Sequence, residues 1–198
     1  MSQTRTREPG ELFGSRMTLF ADMLSVGLAT TVACLPLLTA PAALSTACAV
    51  LRGAGEGRPA TAGRYATLLR RRLGLADLAA GALALAVLLL STADLALART
   101  GLPGGPLFTR AATVIATGAV LIGLRTCARP ESLTGWRRAL RAAAHDTVHD
   151  PGGTALILLA LVTAAAGAWA LPPLVFLTPG PLALALTAVD VRLVARRN

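Results

Sequence analysis

The chain has 198 residues, of which 54% are hydrophobic and only 15% charged, with a mean hydropathy of +0.62. That balance leaves too little polar surface for a soluble domain of this length and places the chain in the membrane class. The net charge of +9 does not indicate nucleic acid, because the arginines fall between long apolar runs and form no stripe with interleaved aromatics.

A helix that crosses a bilayer needs about 20 mostly apolar residues, and its backbone must satisfy its own hydrogen bonds. On that basis residues 1–16 form a cytoplasmic tail and a single all-α transmembrane domain occupies residues 17–194, ahead of a basic tail at 195–198. The first span is expected at 17–36, with Asp22 its one charge, and no convincing cleavage site follows it, so it is expected to stay in place. It stops at Pro36 and Pro41, which remove backbone donors, and a shorter second span is expected at 38–51, ended by Arg52.

A glycine-rich basic loop containing Gly53, Gly55, Gly57 and Pro59 leads into a short surface helix that ends in Arg70, Arg71 and Arg72. The third span is expected at 73–98, the fourth at 107–124 between Arg110 and Arg125, the fifth at 153–171 and the sixth at 174–193. Pro172 and Pro173 are the expected hinge of the last hairpin, but Pro179-Gly180-Pro181 interrupts the sixth span, so the turn can lie anywhere between the two proline sites. Between the fourth and fifth spans, Ser132 is placed to cap a basic amphipathic helix. Its Leu133, Trp136, Leu140, Ala143 and Ala144 recur at helical spacing, with Arg137, Arg138 and Arg141 on other faces.

Cytoplasmic segments carry the excess of positive charge. Six crossings with both termini inside leave only Arg99 and Arg110 outside. Five crossings, with 17–51 as one span and a re-entrant piece, would move Arg5, Arg7 and Arg16 outside, so six is the better count.

Chemistry-bearing patterns are sparse. His145 and His149 share a helix face beside Asp146 and Asp150, but no third protein ligand and no intervening glutamate complete a zinc site, and a solvated, partly capping cluster at a helix end is the expectation. Cys34, Cys48 and Cys127 lie in apolar runs without metal-ligand spacing and read as packing residues. Asp22, Asp77, Asp94 and Asp190 fall near span ends, which disfavours a carboxylate relay for coupled transport. With no phosphate-binding loop and no nucleophile elbow, neither an enzyme nor a cofactor is expected.

The order of segments resembles the YesL-like family of small bacterial membrane proteins. The resemblance rests on Leu35-Pro36-Leu37-Leu38-Thr39, Pro41-Ala42-Ala43-Leu44, the loop from Arg52 to Gly57, then Arg64-Tyr65 and Arg70 to Arg72, and a proline-broken terminal hairpin. Ala40 and Tyr65 stand where the family often has glycine and phenylalanine. The resemblance implies a multi-pass protein of the bacterial inner membrane that assists a carbohydrate ABC transport system. Leu35, Pro36, Thr39 and Pro41 would form its motif hairpin, and Arg70, Arg71 and Arg72 its cytoplasmic contact. Its expected partners are the lipid bilayer and a sugar ABC permease subunit. An autonomous oligomeric permease, with the proline-broken turns lining its path, is the alternative. The chain is no such permease subunit itself, because Ala142-Ala143-Ala144-His145-Asp146 lacks the acidic start and the glycine of a coupling segment.

Overall fold

In the computed structural model, residues 15–98, 105–171 and 176–197 are described, and among them there are helices and turns but no strand. Helix α1 (Ser15–Cys34) leads through a 3-10 turn (Leu37–Thr39) into α2 (Ala40–Gly55), followed by α3 (Ala62–Arg72), α4 (Leu75–Ala98) and α5 (Gly105–Ala128). A second 3-10 turn (Pro130–Leu133) precedes α6 (Trp136–His149), α7 (Pro151–Ala170) and α8 (Pro179–Arg197).

Among the described residues, four segments are long and apolar enough to cross a membrane: Leu37–Gly55, Leu75–Leu97, Leu107–Ala128 and Pro151–Ala170. They fall on the second to fifth expected spans. The expected first span has a shorter apolar stretch, Ala21–Cys34, among the described residues. Helix α8 runs only to Val189 before it meets Asp190 and Arg192.

Helix α2 is the hub. It packs on α1, α3, α4, α5 and α8, and half of its apolar window is buried, against about a tenth or less in α4, α5 and α7. Its Ala47, Cys48, Val50 and Leu51 join Met23 and Val26 of α1, Tyr65 and Leu69 of α3, Leu121 of α5, Ile157 of α7 and Leu186 of α8 in one cluster. The remaining apolar surface faces outward: Leu83, Leu89 and Leu90 on α4, Val114 and Ile115 on α5, and Leu159 and Trp169 on α7 are exposed. Exposed leucine, valine and isoleucine on this scale suit hydrocarbon and not water.

Prolines and glycines set the helix junctions. Pro41 stands in the first turn of α2, where the missing N–H has no helical acceptor to lose. Pro179 and Pro181 do the same for α8, so the helix of the sixth expected span starts at the later of the two proline sites and not at residue 174. Pro172 and Pro173 lie outside the described residues. Small residues permit close backbone approach: a methyl group added at Gly27 of α1 would stand 2.9 Å from Gly180 Cα in α8. At Gly81 of α4 it would collide with the carbonyl of Leu38.

The contact at Gly81 fixes where the first hairpin ends. One turn before Gly81, Asp77 pairs with Arg72, which also donates to Ser45 Oγ of α2. Helix α4 thus runs antiparallel to α2, passes the Leu37–Thr39 turn and continues from Ala82 to Ala98, about 25 Å further at helical rise. The turn expected at the outer surface therefore lies well short of the far end of α4.

One further expectation is corrected. The fourth expected span, on α5, does not end at residue 124: the helix continues to Ala128, because Arg125 is turned into a contact with Asp150. On α6 the buried face is Ala139, Ala143 and Asp146, while Leu140 is exposed. The small alanines let α6 lie close to α5, and Asp146 faces inward to reach Arg129.

Gly81→Leu is expected to destabilise the fold by about 1 to 3 kcal/mol through overpacking against backbone. It should lower the midpoint of thermal unfolding in detergent, whereas Gly118→Ala, with open space around it, should leave that midpoint nearly unchanged.

Candidate functional site: an arginine-lined cleft

Arginine–aspartate pairs gather the helix ends on one side of the molecule. Arg52 at the end of α2 pairs with Asp190 of α8 at 2.6 Å and donates to Ala128 O at the end of α5 at 2.7 Å. Arg125 of α5 pairs with Asp150 at 3.1 Å, and Asp150 also caps α7 by accepting from Gly153 N at 3.1 Å. Arg129 pairs with the buried Asp146 of α6. Arg72 at the end of α3 pairs with Asp77 of α4 at 3.3 Å and donates to Ser132 O at 2.6 Å.

Trp136 completes the Arg72 cluster. Its Nε1 donates to Asp77 Oδ1 at 2.9 Å, and the Arg72 guanidinium lies 5.2 Å from its ring centre. Burial pushes the Arg72 guanidinium pKa down, and the Asp77 carboxylate opposes that shift. Such pairs offset desolvation through hydrogen bonds to carbonyls and hydroxyls, and each depends on both partners.

Helix α3 is fixed on α2 by helical spacing. Thr61 caps it by accepting from Arg64 N, and Tyr65, Leu69 and Arg72 form its inward face. Tyr65 is fully buried and donates to Ala43 O at 3.4 Å; burial pushes the phenol up to about 12, with a hydrogen bond to Thr30 acting against that rise. The next stripe round, Arg64, Leu68 and Arg71, faces sideways along α2.

Between that stripe and the Pro130–Leu133 turn lies a cleft of about 660 Å³. Thr46, Ala49 and Gly53 of α2 form its floor, and five arginines line it: Arg52, Arg58, Arg64, Arg71 and Arg72. Asp77 is the one carboxylate among the lining residues. The guanidinium groups of Arg58 and Arg64 both lie over Gly53, within van der Waals reach of where a Cβ would stand. Arg52 and Arg72 are committed to aspartates, Arg58 pairs with the exposed Glu56, and Arg64 donates to Pro59 O at 3.1 Å. Among the described residues, Arg64 and Arg71 have no carboxylate partner.

The residues singled out in the sequence are distributed as follows. Arg70 and Arg71 are exposed, but Arg72 is turned inward, so the expected contact triad splits into two surface arginines and one that holds the fold. In the motif hairpin, Leu35 and Pro36 are exposed and Pro41 opens α2. Thr39 Oγ1 lies within hydrogen-bond reach of two carbonyls and donates its one proton either to Ala33 O, which the end of α1 leaves open, or, at 2.8 Å, to Pro36 O, which already accepts from Thr39 N. His145 and His149 stack at 4.0 Å, and His145 also lies 3.5 Å from Asp146, but Asp146 is buried and not solvated as expected, and it and Asp150 turn to arginines; no group of three possible metal ligands occurs among the described residues. Cys48 and Cys127 are buried and Cys34 partly so, all as free thiols. The cleft itself was not read from the sequence, although Thr61, Arg64, Leu68 and Arg71 at intervals of three and four residues carry its signal.

Asp77→Ala would leave the Arg72 guanidinium buried without its carboxylate, and a loss of about 3 to 5 kcal/mol is expected. Arg70→Ala, on the exposed face, should change stability by less than about 0.5 kcal/mol. Unfolding midpoints of the two variants in one detergent check both expectations.

No protein-family model matches the chain, and neither a curated protein nor a solved structure is significantly similar to it, so these comparisons place it in no family.

Proposed function

We propose that the chain is a non-enzymatic, multi-pass protein of the bacterial inner membrane that assists a carbohydrate ABC transport system. The membrane assignment rests on its four long apolar helices and their exposed apolar surface. The positive-inside rule favours both termini on the cytoplasmic side, with α8 as a further crossing and α1 and α2 as a hairpin whose turn stops short of the far end of α4. The arginine-paired ends of α2, α5 and α8 then face the cytoplasm, together with α3 and α6.

The observation that carries the accessory reading is the placement of exposed arginines on an immobilised support. Tyr65, Leu69 and Arg72 anchor α3, and its Arg70 and Arg71 point outward, as do Arg137, Arg138 and Arg141 of α6. A basic face of this kind suits an acidic cytoplasmic segment of a sugar permease. The assignment of the transport system itself comes from the resemblance to YesL-like proteins, with Leu35, Pro36, Thr39 and Pro41 as the shared hairpin.

Two measurements test this reading. In a cysteine-free background, Gln3→Cys and Thr67→Cys are each expected to resist a membrane-impermeant thiol reagent added to intact cells. Labelling at residue 3 alone would favour five crossings, and labelling at residue 67 would contradict a cytoplasmic arginine face. Co-purification through a C-terminal tag in mild detergent should recover a sugar ABC permease, and Arg70→Glu with Arg71→Glu should abolish that recovery. Recovery of this chain alone would contradict the accessory role and direct attention to an autonomous permease.

A further inference from the structure

Five guanidinium groups around one cleft repel one another unless anions offset them. Asp77, Asp190 and Glu56 answer three of the five, and Arg64 and Arg71 have no carboxylate partner among the described residues. The cleft is therefore short of negative charge while remaining open to an outside ligand. Its volume of about 660 Å³ falls within the range of small-molecule sites, roughly 300–1,000 Å³.

The lining is also amphipathic. Ala49, Leu68, Pro130 and Leu133 alternate with the arginines, and Leu68 and Leu133 are exposed at the surface. Helix α4 begins beside the cleft with Leu75, which is 87% exposed. Charged and apolar groups thus meet where a spanning helix starts, at the level where a bilayer places its phosphates. Planar guanidinium forks match the paired oxygens of a phosphate better than any other common side chain does.

We infer that the cleft between α2, α3 and the Pro130–Leu133 turn binds a phosphate-bearing anion, its phosphate held by Arg64 and Arg71 together with the partly committed Arg52 and Arg58. Two sources supply this chemistry, the headgroup of an anionic phospholipid and a soluble phosphate ester. The amphipathic lining suits either a glycerol backbone or a small polar ester. The site is a property of the isolated chain and does not require the accessory role.

The test uses the full chain purified in detergent with Trp169→Phe, which leaves Trp136, stacked under Arg72, as the fluorescent reporter. Phosphatidylglycerol or phosphatidylcholine in mixed micelles is titrated in one arm, and glycerol 1-phosphate in the other. A saturable response to phosphatidylglycerol but not to phosphatidylcholine assigns the membrane source; saturation by glycerol phosphate alone assigns the soluble one. In either case Arg64→Gln with Arg71→Gln should weaken the apparent affinity at least tenfold. Arg137→Gln with Arg138→Gln, an equal loss of charge on α6, should weaken it less than twofold.

Saturation by neither ligand, or equal weakening by both double variants, would overturn the inference. Helical circular dichroism and gel filtration establish that each variant is folded. Should the cleft double variant fail there, Arg71→Gln alone, at an exposed side chain, is expected to weaken binding about threefold, and an unchanged affinity would overturn the site.

Discussion

The architecture depends on buried arginine–carboxylate pairing at one end of the helix assembly. Arg52 alone joins three helices, reaching Asp190 of α8 and the last carbonyl of α5 from the end of α2. Arg72, Arg125 and Arg129 repeat the arrangement between other elements. In hydrocarbon there is little hydrophobic drive to bring apolar helices together, so association falls to close packing and polar contacts. The sequence supplies both, with small residues at Gly27, Gly81 and Gly180 and charges where the helices end.

That constraint explains why the molecule has two unlike regions. Around the pairs, α1, α2, α3 and α8 bury a contiguous cluster with Tyr65, Val50 and Leu186 at less than 2% exposure. Beyond the first hairpin turn, α4 has only α5 as a substantial neighbour among the described elements, and its leucines are left to lipid. The ion-paired end is therefore the ordered base, and it is there that arginines with and without carboxylate partners lie side by side. A cleft with unmatched cations follows from the same abundance of arginine that builds the base.

Helix existence was legible in the sequence wherever long uncharged runs met prolines or glycines. The second to fifth expected spans lie on α2, α4, α5 and α7, and the capping role of Asp150 follows from an aspartate ahead of a proline-started apolar run. Helix ends were less legible, because Arg125 reads as a boundary when its partner is unseen, and two proline sites left open the start of α8, which the structure places at Pro179. The inward face of α6, Ala139, Ala143 and Asp146, is set by close packing and the Arg129 pair, which hydrophobic spacing does not report. Pairings such as Arg52 with Asp190 join residues far apart in the chain, and periodicity carries no information about them. For the same reason the cleft stayed hidden, although the α3 stripe that forms one wall has plain helical spacing.

The most direct test of this account is a double-mutant cycle on Arg52→Leu and Asp190→Leu, read as unfolding free energy in detergent. The account predicts that each single variant is strongly destabilised by the charge left behind. The double variant should recover much of the loss, giving a coupling of about 1 to 3 kcal/mol. Additive losses, with no coupling between the two positions, would contradict the claim that ion pairing holds the helix ends together.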